Sequence, residues 1–231
     1  MGNLLLRRRE MILPQSDIPI PEPVLPEGYV RIEYVNRPDG TTEARAFNTT
    51  GFTPNGTDPL EIRVGFKLIG TPGSNGAYPV VAGQNAGDNT VGFGICVASN
   101  GYQVGCYGGE SCYVTPNGGE SVENIKYDAV ARRTSTTIYY SDGINSNTVS
   151  LTPRNIARTF GIFGLKRYNQ EAVVGSGSFY GNIYYIIIIE GGVVKVHQIP
   201  CKRVSDSRAG FYGLDGEFRG SQYYVAGPEI T

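Results

Sequence analysis

The sequence predicts an all-β sandwich or barrel, and three observations carry that reading. Short stretches of alternating apolar and polar residues recur at a spacing of roughly 8–12 residues. The punctuation between them is rich in turn formers, with 32 Gly and 14 Pro in 231 residues. After residue 28 no long stretch places apolar residues at a helical period.

The elements follow in chain order. Residues 1–13 begin Met1-Gly-Asn-Leu-Leu-Leu-Arg-Arg-Arg and suit a short helix capped by Asn3. A helix of that length is marginal alone in water and needs a partner to dock on. Pro14, Pro19, Pro21, Pro23 and Pro26 favour an extended, polyproline-like connector over a packed element, so residues 14–28 read as a stalk. The globular domain then begins near Tyr29. Val30–Val35 alternates as a half-buried strand, Pro38-Asp39-Gly40 turns it, and Ala44–Phe47 returns. Leu60–Phe66 alternates cleanly. Further strands are expected around 79–82, 90–98, 102–107, 124–131, 135–140, 148–151 and 161–165, then 178–190 and 193–200. Ser205–Arg208 is the nearest thing to a later helix and is too short to matter.

Two stretches carry sharper expectations. Asn100-Gly101 between apolar runs is a hairpin signal. If those residues form the turn, Cys96 faces Gly105 and Cys106 projects to the opposite sheet face. That register argues against a Cys96–Cys106 disulfide. The run Gly181–Glu190 is apolar on both alternating positions, as in a strand buried on both sides between packed sheets. Glu190-Gly191-Gly192 turns it back into Val193–Val196.

Composition excludes several functions. Twenty Lys+Arg against 21 Asp+Glu leave a net charge of −1, without the basic excess that coating nucleic acid requires. One His rules out His-rich metal sites and leaves His197, on an expected strand, as an ordinary structural residue. The four cysteines, Cys96, Cys106, Cys112 and Cys201, form no CxxC pair and read as small buried thiols in a reducing compartment. The longest apolar run falls well short of the roughly 20 residues that span a bilayer. The N-terminus also lacks the order of a secretory signal. No membrane span, metal or cofactor is expected.

Carboxylate pairs suited to catalysis are absent from the strand pattern. No Glu-x-Asp-x-x-Glu string is present to set two carboxyls on one concave face for glycoside hydrolysis. Glu61 has Arg63 two residues on, and Glu110, Glu120 and Glu123 sit in a Gly/Ser-rich loop. Asp215 and Glu217 are the closest same-face pair, but a turn explains Leu214-Asp-Gly-Glu-Phe. Gly175-Ser-Gly-Ser-Phe precedes no helix and makes no phosphate cradle. Loops at 87–89 and 141–145 carry Asp and Asn, match no defined calcium spacing, and are explained as turns. For stacking on sugars, Tyr102, Tyr107, Tyr113, Tyr139, Tyr140, Tyr168, Tyr223 and Tyr224 are available, and that set alone selects no site.

The C-terminal third carries a resemblance. Phe179-Tyr-Gly-Asn-Ile-Tyr-Tyr leads through Ile-Pro-Cys-Lys-Arg (199–203) to Gly-Phe-Tyr-Gly-Leu-Asp (210–215), and the chain closes on Ala226-Gly-Pro-Glu. This is similar to the concanavalin A-like, laminin-G-like jelly-roll domains of bacteriophage and Bacteroidetes mobile-element proteins. Ile32-Glu-Tyr-Val and Phe47-Asn-Thr-Thr-Gly51 resemble that family's opening strands, and the Met1–Met11 segment resembles leaders on phage virion proteins.

The resemblance implies a two-sheet antiparallel jelly-roll sandwich over 29–231, preceded by an extended N-terminal arm. It also implies a non-enzymatic virion structural protein, a head fibre, capsid decoration or tail fibre, assembled in the host cytoplasm. Leu4, Leu5 and Leu6 would give the arm apolar contact area on a capsid or other virion protein, and Arg7, Arg8 and Arg9 would pair with carboxylates there. A host-surface glycan is the second expected partner, and dimers or trimers the expected assembly. The alternatives are a glycoside hydrolase or a bacterial cell-surface lectin of the same fold.

Overall fold

The computed structural model describes residues 18–38, 48–69, 80–85, 91–98, 100–107, 111–150, 158–164 and 179–231. Seventeen strands occur among them. In the first half these are β1 (Tyr29–Arg31), β2 (Val35–Arg37), β3 (Asn48–Thr49), β4 (Leu60–Leu68), β5 (Val80–Asn85), β6 (Val91–Val97), β7 (Val104–Tyr107) and β8 (Ser111–Val114). The second half holds β9 (Lys126–Arg133), β10 (Thr137–Ser141), β11 (Ser146–Ser150), β12 (Gly161–Ile162), β13 (Gly181–Glu190), β14 (Val193–Arg203), β15 (Ala209–Gly213), β16 (Phe218–Gly220) and β17 (Val225–Ala226). The described residues contain no α-helix, only a 3-10 turn at Pro116–Gly119.

The strands form two antiparallel sheets. The large one runs β11-β10-β9-β4-β13-β14-β15-β16, with β1, β2 and β17 attached to it. The small one runs β3-β12-β5-β6-β7-β8. Alternation decides which side chains meet between them. Leu60, Ile62, Val64 and Phe66 of β4, with Ile186 and Ile188 of β13, face Phe93 and Ile95 of β6 across one continuous apolar core. Phe66 packs edge-on against Phe179, ring centroids 5.8 Å apart, and Phe163 stacks on Phe179 at 6.1 Å. The pattern allowed a sandwich or a barrel; the structure is the two-sheet sandwich that the resemblance implied, and every strand pairing among the described residues is antiparallel.

Several local expectations hold. Cys96 lies opposite Gly105, with Cys106 on the other face of β7, and Gly101 takes φ 73° in the connecting turn. Glu190 pairs with Val193 across Gly191 and Gly192, both at positive φ, as a two-residue hairpin loop of this hand requires.

Others are corrected. Val30–Val35 is not one strand. β1 pairs with β14 and β2 with β13, so the chain fills the wedge where those two long strands diverge, and it breaks at Glu33-Tyr34. The Gly/Ser-rich loop expected around residue 110 contains β8, because Ser111-Cys-Tyr-Val alternates inward and outward against β7. Ser205–Arg208 is a turn, held by the Arg203–Asp206 ion pair at 2.6 Å and with Ser207 at φ 55°. Residues 44–47 and 165 lie outside the described residues.

β13 is central, between β4 and β14, and Ile187 and Ile189 on its outer side are as buried as an interior position. Among the described residues no second sheet covers them. Cross-strand neighbours Arg63, Glu61 and His197 flank them.

Candidate functional site

The outer face of the large sheet carries the most distinctive surface chemistry, and a single irregularity creates it. On β13, Ile183 lies opposite Phe66 and Tyr185 opposite Gly65, so the register shifts between them. Tyr184 is the extra residue of a β-bulge. Ile183 and Ile186 both point into the core, which leaves the two consecutive tyrosines on the same, outer face.

Glycines seat the rings. A Cβ on Gly65 would come within 2.6 Å of the Tyr185 ring, and one on Gly227 within 2.9 Å of the Tyr34 ring. Only bare backbone admits a side chain that close. Gly227 also donates its N–H to the Tyr34 carbonyl at 2.9 Å. Tyr34 meets Tyr184 edge to face, centroids 5.5 Å apart and planes at 70°.

Polar groups ring these aromatics. The Lys126 ammonium stands 4.3 Å from the Tyr184 ring centroid. The Tyr185 hydroxyl donates to Asp128 at 3.1 Å, and Asn36 donates to the Asn182 side-chain oxygen at 2.7 Å. Burial pushes the Tyr184 and Tyr185 hydroxyls above their ordinary range, with the nearby Asp128 charge adding to it. Both therefore stay protonated as donors at neutral pH. Half-buried tyrosine faces beside an ammonium, a carboxylate and amides match what a sugar ring with its hydroxyls requires.

Two other parts of this face are occupied by neighbouring groups. Glu61 accepts from Arg63 and Arg132 at 2.5 Å each, and the Arg132 guanidinium lies 5.4 Å over Tyr139. Towards β14 the proline-rich segment covers the sheet. Its described residues, 18–28, form no helix or strand, and they pack where a free connector was expected: Pro23 is buried, Glu22 pairs with Arg31 at 2.9 Å, and Val204 donates to the Gly28 carbonyl at 2.8 Å. His197 donates from Nδ1 to the Pro21 carbonyl at 2.6 Å, the structural role expected of it.

The tyrosines singled out from sequence do not converge. Tyr140 and Tyr224 are buried. Tyr113 lies on the outer face of the small sheet, its hydroxyl 3.6 Å from the Cys96 sulfur, and Tyr102 is exposed at a hairpin tip. Tyr107 and Tyr223 are half-buried elsewhere, and Tyr168 lies outside the described residues. Tyr34, Tyr184 and Tyr185 do converge, and only the bulge reveals it.

Two of the candidate acidic side chains, Asp215 and Asp142, are committed to structure. Asp215 accepts from Arg219 at 3.0 Å and from the Glu217 backbone N–H at 3.2 Å. The Arg219 guanidinium, ahead of the backbone donor, holds the Asp215 carboxyl below its usual range, the reverse of what a general acid needs. Asp142 accepts from the backbone of Ile144 and Asn145 at 2.9 and 2.6 Å, so its turn consumes it. Leu4, Leu5, Leu6, Arg7, Arg8 and Arg9 lie outside the described residues, as does the loop at 87–89. No helix among the described residues is long and apolar enough to cross a membrane.

No family model and no curated protein sequence matches this chain. Among solved structures, domains LG4-5 of the mouse laminin alpha1 chain align at 12% identity and TM-score 0.49, covering 71% of this chain. The alignment takes in 44% of that laminin chain, less than half its length. The native heptameric SAP-like pentraxin from Limulus polyphemus aligns at TM-score 0.53 and 11% identity, over 85% of this chain and 95% of that one. The fold is a concanavalin A-like jelly roll. It is all-β, with two antiparallel sheets, as the sequence resemblance implied.

Burial lowers the His197 pKa from its ordinary 6.5, against smaller opposing effects of the Pro21 carbonyl and Glu22, with Arg31 adding to the lowering. The folded chain thus keeps the ring neutral where the unfolded chain takes up a proton. This stabilisation is complete above the unfolded pKa and is lost as pH falls through the folded one. Urea unfolding should therefore show a larger loss of stability in the wild type than in His197→Gln between about pH 7 and about pH 5. Equal losses in the two proteins would remove the contact of His197 with the proline-rich strap as a source of pH sensitivity.

Proposed function

We propose that this chain is a non-enzymatic carbohydrate-binding module that holds a glycan on the Tyr34–Tyr184–Tyr185 platform. The observation that carries the reading is the bulge-made pair of outward tyrosines, set among Lys126, Asp128 and the Asn36–Asn182 amides. Aromatic faces supply contact area with little ordering cost, and the polar rim supplies direction. The lectin-like jelly-roll fold supports the same class of function. Glycoside hydrolysis is the lesser reading, since Asp215 is ion-paired with Arg219 and Glu61 with two arginines.

Within that reading the chain belongs to a bacteriophage virion, as a head fibre, capsid decoration or tail fibre that displays the module to a host surface. The support is the sequence of the N-terminal arm and the resemblance of residues 179–229 to phage jelly-roll domains. Leu4–Leu6 would bury apolar area on a coat or fibre protein and Arg7–Arg9 would meet its carboxylates. Several copies on one particle, as dimers or trimers, would convert weak single-site binding into avid attachment.

Two measurements test these claims separately. An array of host polysaccharides probed with the intact chain should give binding that Tyr184→Ala and Tyr185→Ala weaken about tenfold, the order expected of one stacked ring. Binding untouched by both substitutions would place the glycan elsewhere, and no binding at all would sink the module. Deletion of residues 1–13 should abolish incorporation into particles while leaving glycan binding intact. Equal incorporation of the shortened chain would overturn the anchor.

A further inference from the structure

Four cysteines are buried and unbridged, yet their placement is unequal. Cys106 and Cys112 are directly opposed in the β7–β8 hairpin. Both belong to the core cluster, and each is close enough to shift the other's ionisation. Both also reach across to the large sheet. The Cys106 thiol donates to the Tyr139 carbonyl at 3.7 Å and the Cys112 thiol to the Asn147 carbonyl at 3.3 Å. The other two have no such neighbour. Cys96 is on the far face of the small sheet, against Tyr113, and Cys201 lies on β14 opposite Gly210.

We infer that Cys106 and Cys112 form a reversible disulfide across the β7–β8 hairpin, while Cys96 and Cys201 remain thiols. Directly opposed residues hold their Cβ atoms about 4.5–5.5 Å apart, and a disulfide takes about 3.5–4.5 Å. Closure therefore asks for an approach of about 1 Å, which an edge strand can give, and β8 is the edge of its sheet. The neighbouring Cys106 thiol holds the Cys112 pKa below its usual value, while burial pushes Cys106 up. Burial also raises Cys96 and Cys201 to about 12. Cys112 is thus the readier thiolate, and because it is fully buried the edge strand β8 must open for it to meet an oxidant.

With a low-molecular-weight disulfide such as glutathione disulfide as oxidant, the step balances. The Cys112 thiolate attacks one glutathione sulfur and expels the other as thiolate. Cys106, losing its proton to solvent, then attacks the Cys112 sulfur and expels the second glutathione thiolate. Two protein thiols and one disulfide become one protein disulfide and two glutathione thiols. In a reducing compartment the pair stays open, and outside it the edge of the small sheet closes. Closing removes both S–H donors from the carbonyls of β10 and β11, so the bond is less resistant to reduction than an unstrained structural one.

The test is native incubation of the full chain with glutathione disulfide, alkylation of the remaining thiols, cleavage after glutamate and tandem mass spectrometry without reduction. Cleavage at Glu110 separates Cys112 from Cys106 in sequence. The expected result is loss of two of the four thiols, fragments joined through Cys106 and Cys112, alkylated Cys96 and Cys201, and recovery of all thiols with mild dithiothreitol. Four alkylated cysteines, or a bridge involving Cys96 or Cys201, would overturn it. A Cys96→Ser chain must still give the bridge and a Cys106→Ser chain must not. Should either variant fold poorly, the wild-type alkylation pattern decides alone.

Discussion

One extra residue in the middle of β13 organises the outer surface of this protein. Ile183 opposite Phe66 and Tyr185 opposite Gly65 leave Tyr184 without a partner on β4. Side chains in a strand alternate strictly, so an inserted residue reverses the parity of everything beyond it. Here the reversal keeps isoleucines in the core on both sides of the bulge, at 183 and then at 186 and 188. The two residues between them have nowhere to go but outward. Both are tyrosine, and Gly65 beneath them has no side chain to obstruct the ring of Tyr185.

The break between β1 and β2 does a related job on the neighbouring strand. Ile32 and Val35 are both fully buried, so Glu33 and Tyr34 lie between two inward positions and turn out together. Gly227 then gives the Tyr34 ring a flat seat, and the three tyrosines become one surface. Two neighbouring parts of the sheet face are covered by different physics. Glu61 is satisfied twice over by arginines, which removes a charge that burial would otherwise penalise. The proline strap caps the β14 side through main-chain contacts, and proline's missing N–H leaves fewer backbone donors to satisfy where it lies on the sheet. Between them the aromatic patch stays accessible with its lysine, carboxylate and amides.

Much of the fold was legible because apolar alternation and turn chemistry are local. The register of Cys96 against Gly105 follows from where the hairpin turns, and the β13–β14 hairpin from two adjacent glycines. The site was not legible for the opposite reason. Residues 183–189 are all apolar or tyrosine, so a change of parity leaves no mark in the pattern, and the strand read as buried on both faces. A polar residue at 187 or 189 would have exposed the shift. β8 was hidden among glycines and serines, where only its pairing with β7 shows that Ser111–Val114 alternates. The docking of the strap depends on Pro21 and His197, separated by 176 positions, and no local pattern records such a contact.

The bulge itself can be observed in solution. Nuclear Overhauser contacts from the tyrosine rings of the isotopically labelled full chain report which face each one occupies. The Tyr184 ring should show contacts to the Tyr34 ring and the Lys126 side chain, and the Tyr185 ring to the α-protons of Gly65. Contacts from the Tyr184 ring to Phe66 or Ile188 instead would mean that the strand alternates without interruption, that one tyrosine is buried, and that the platform does not exist.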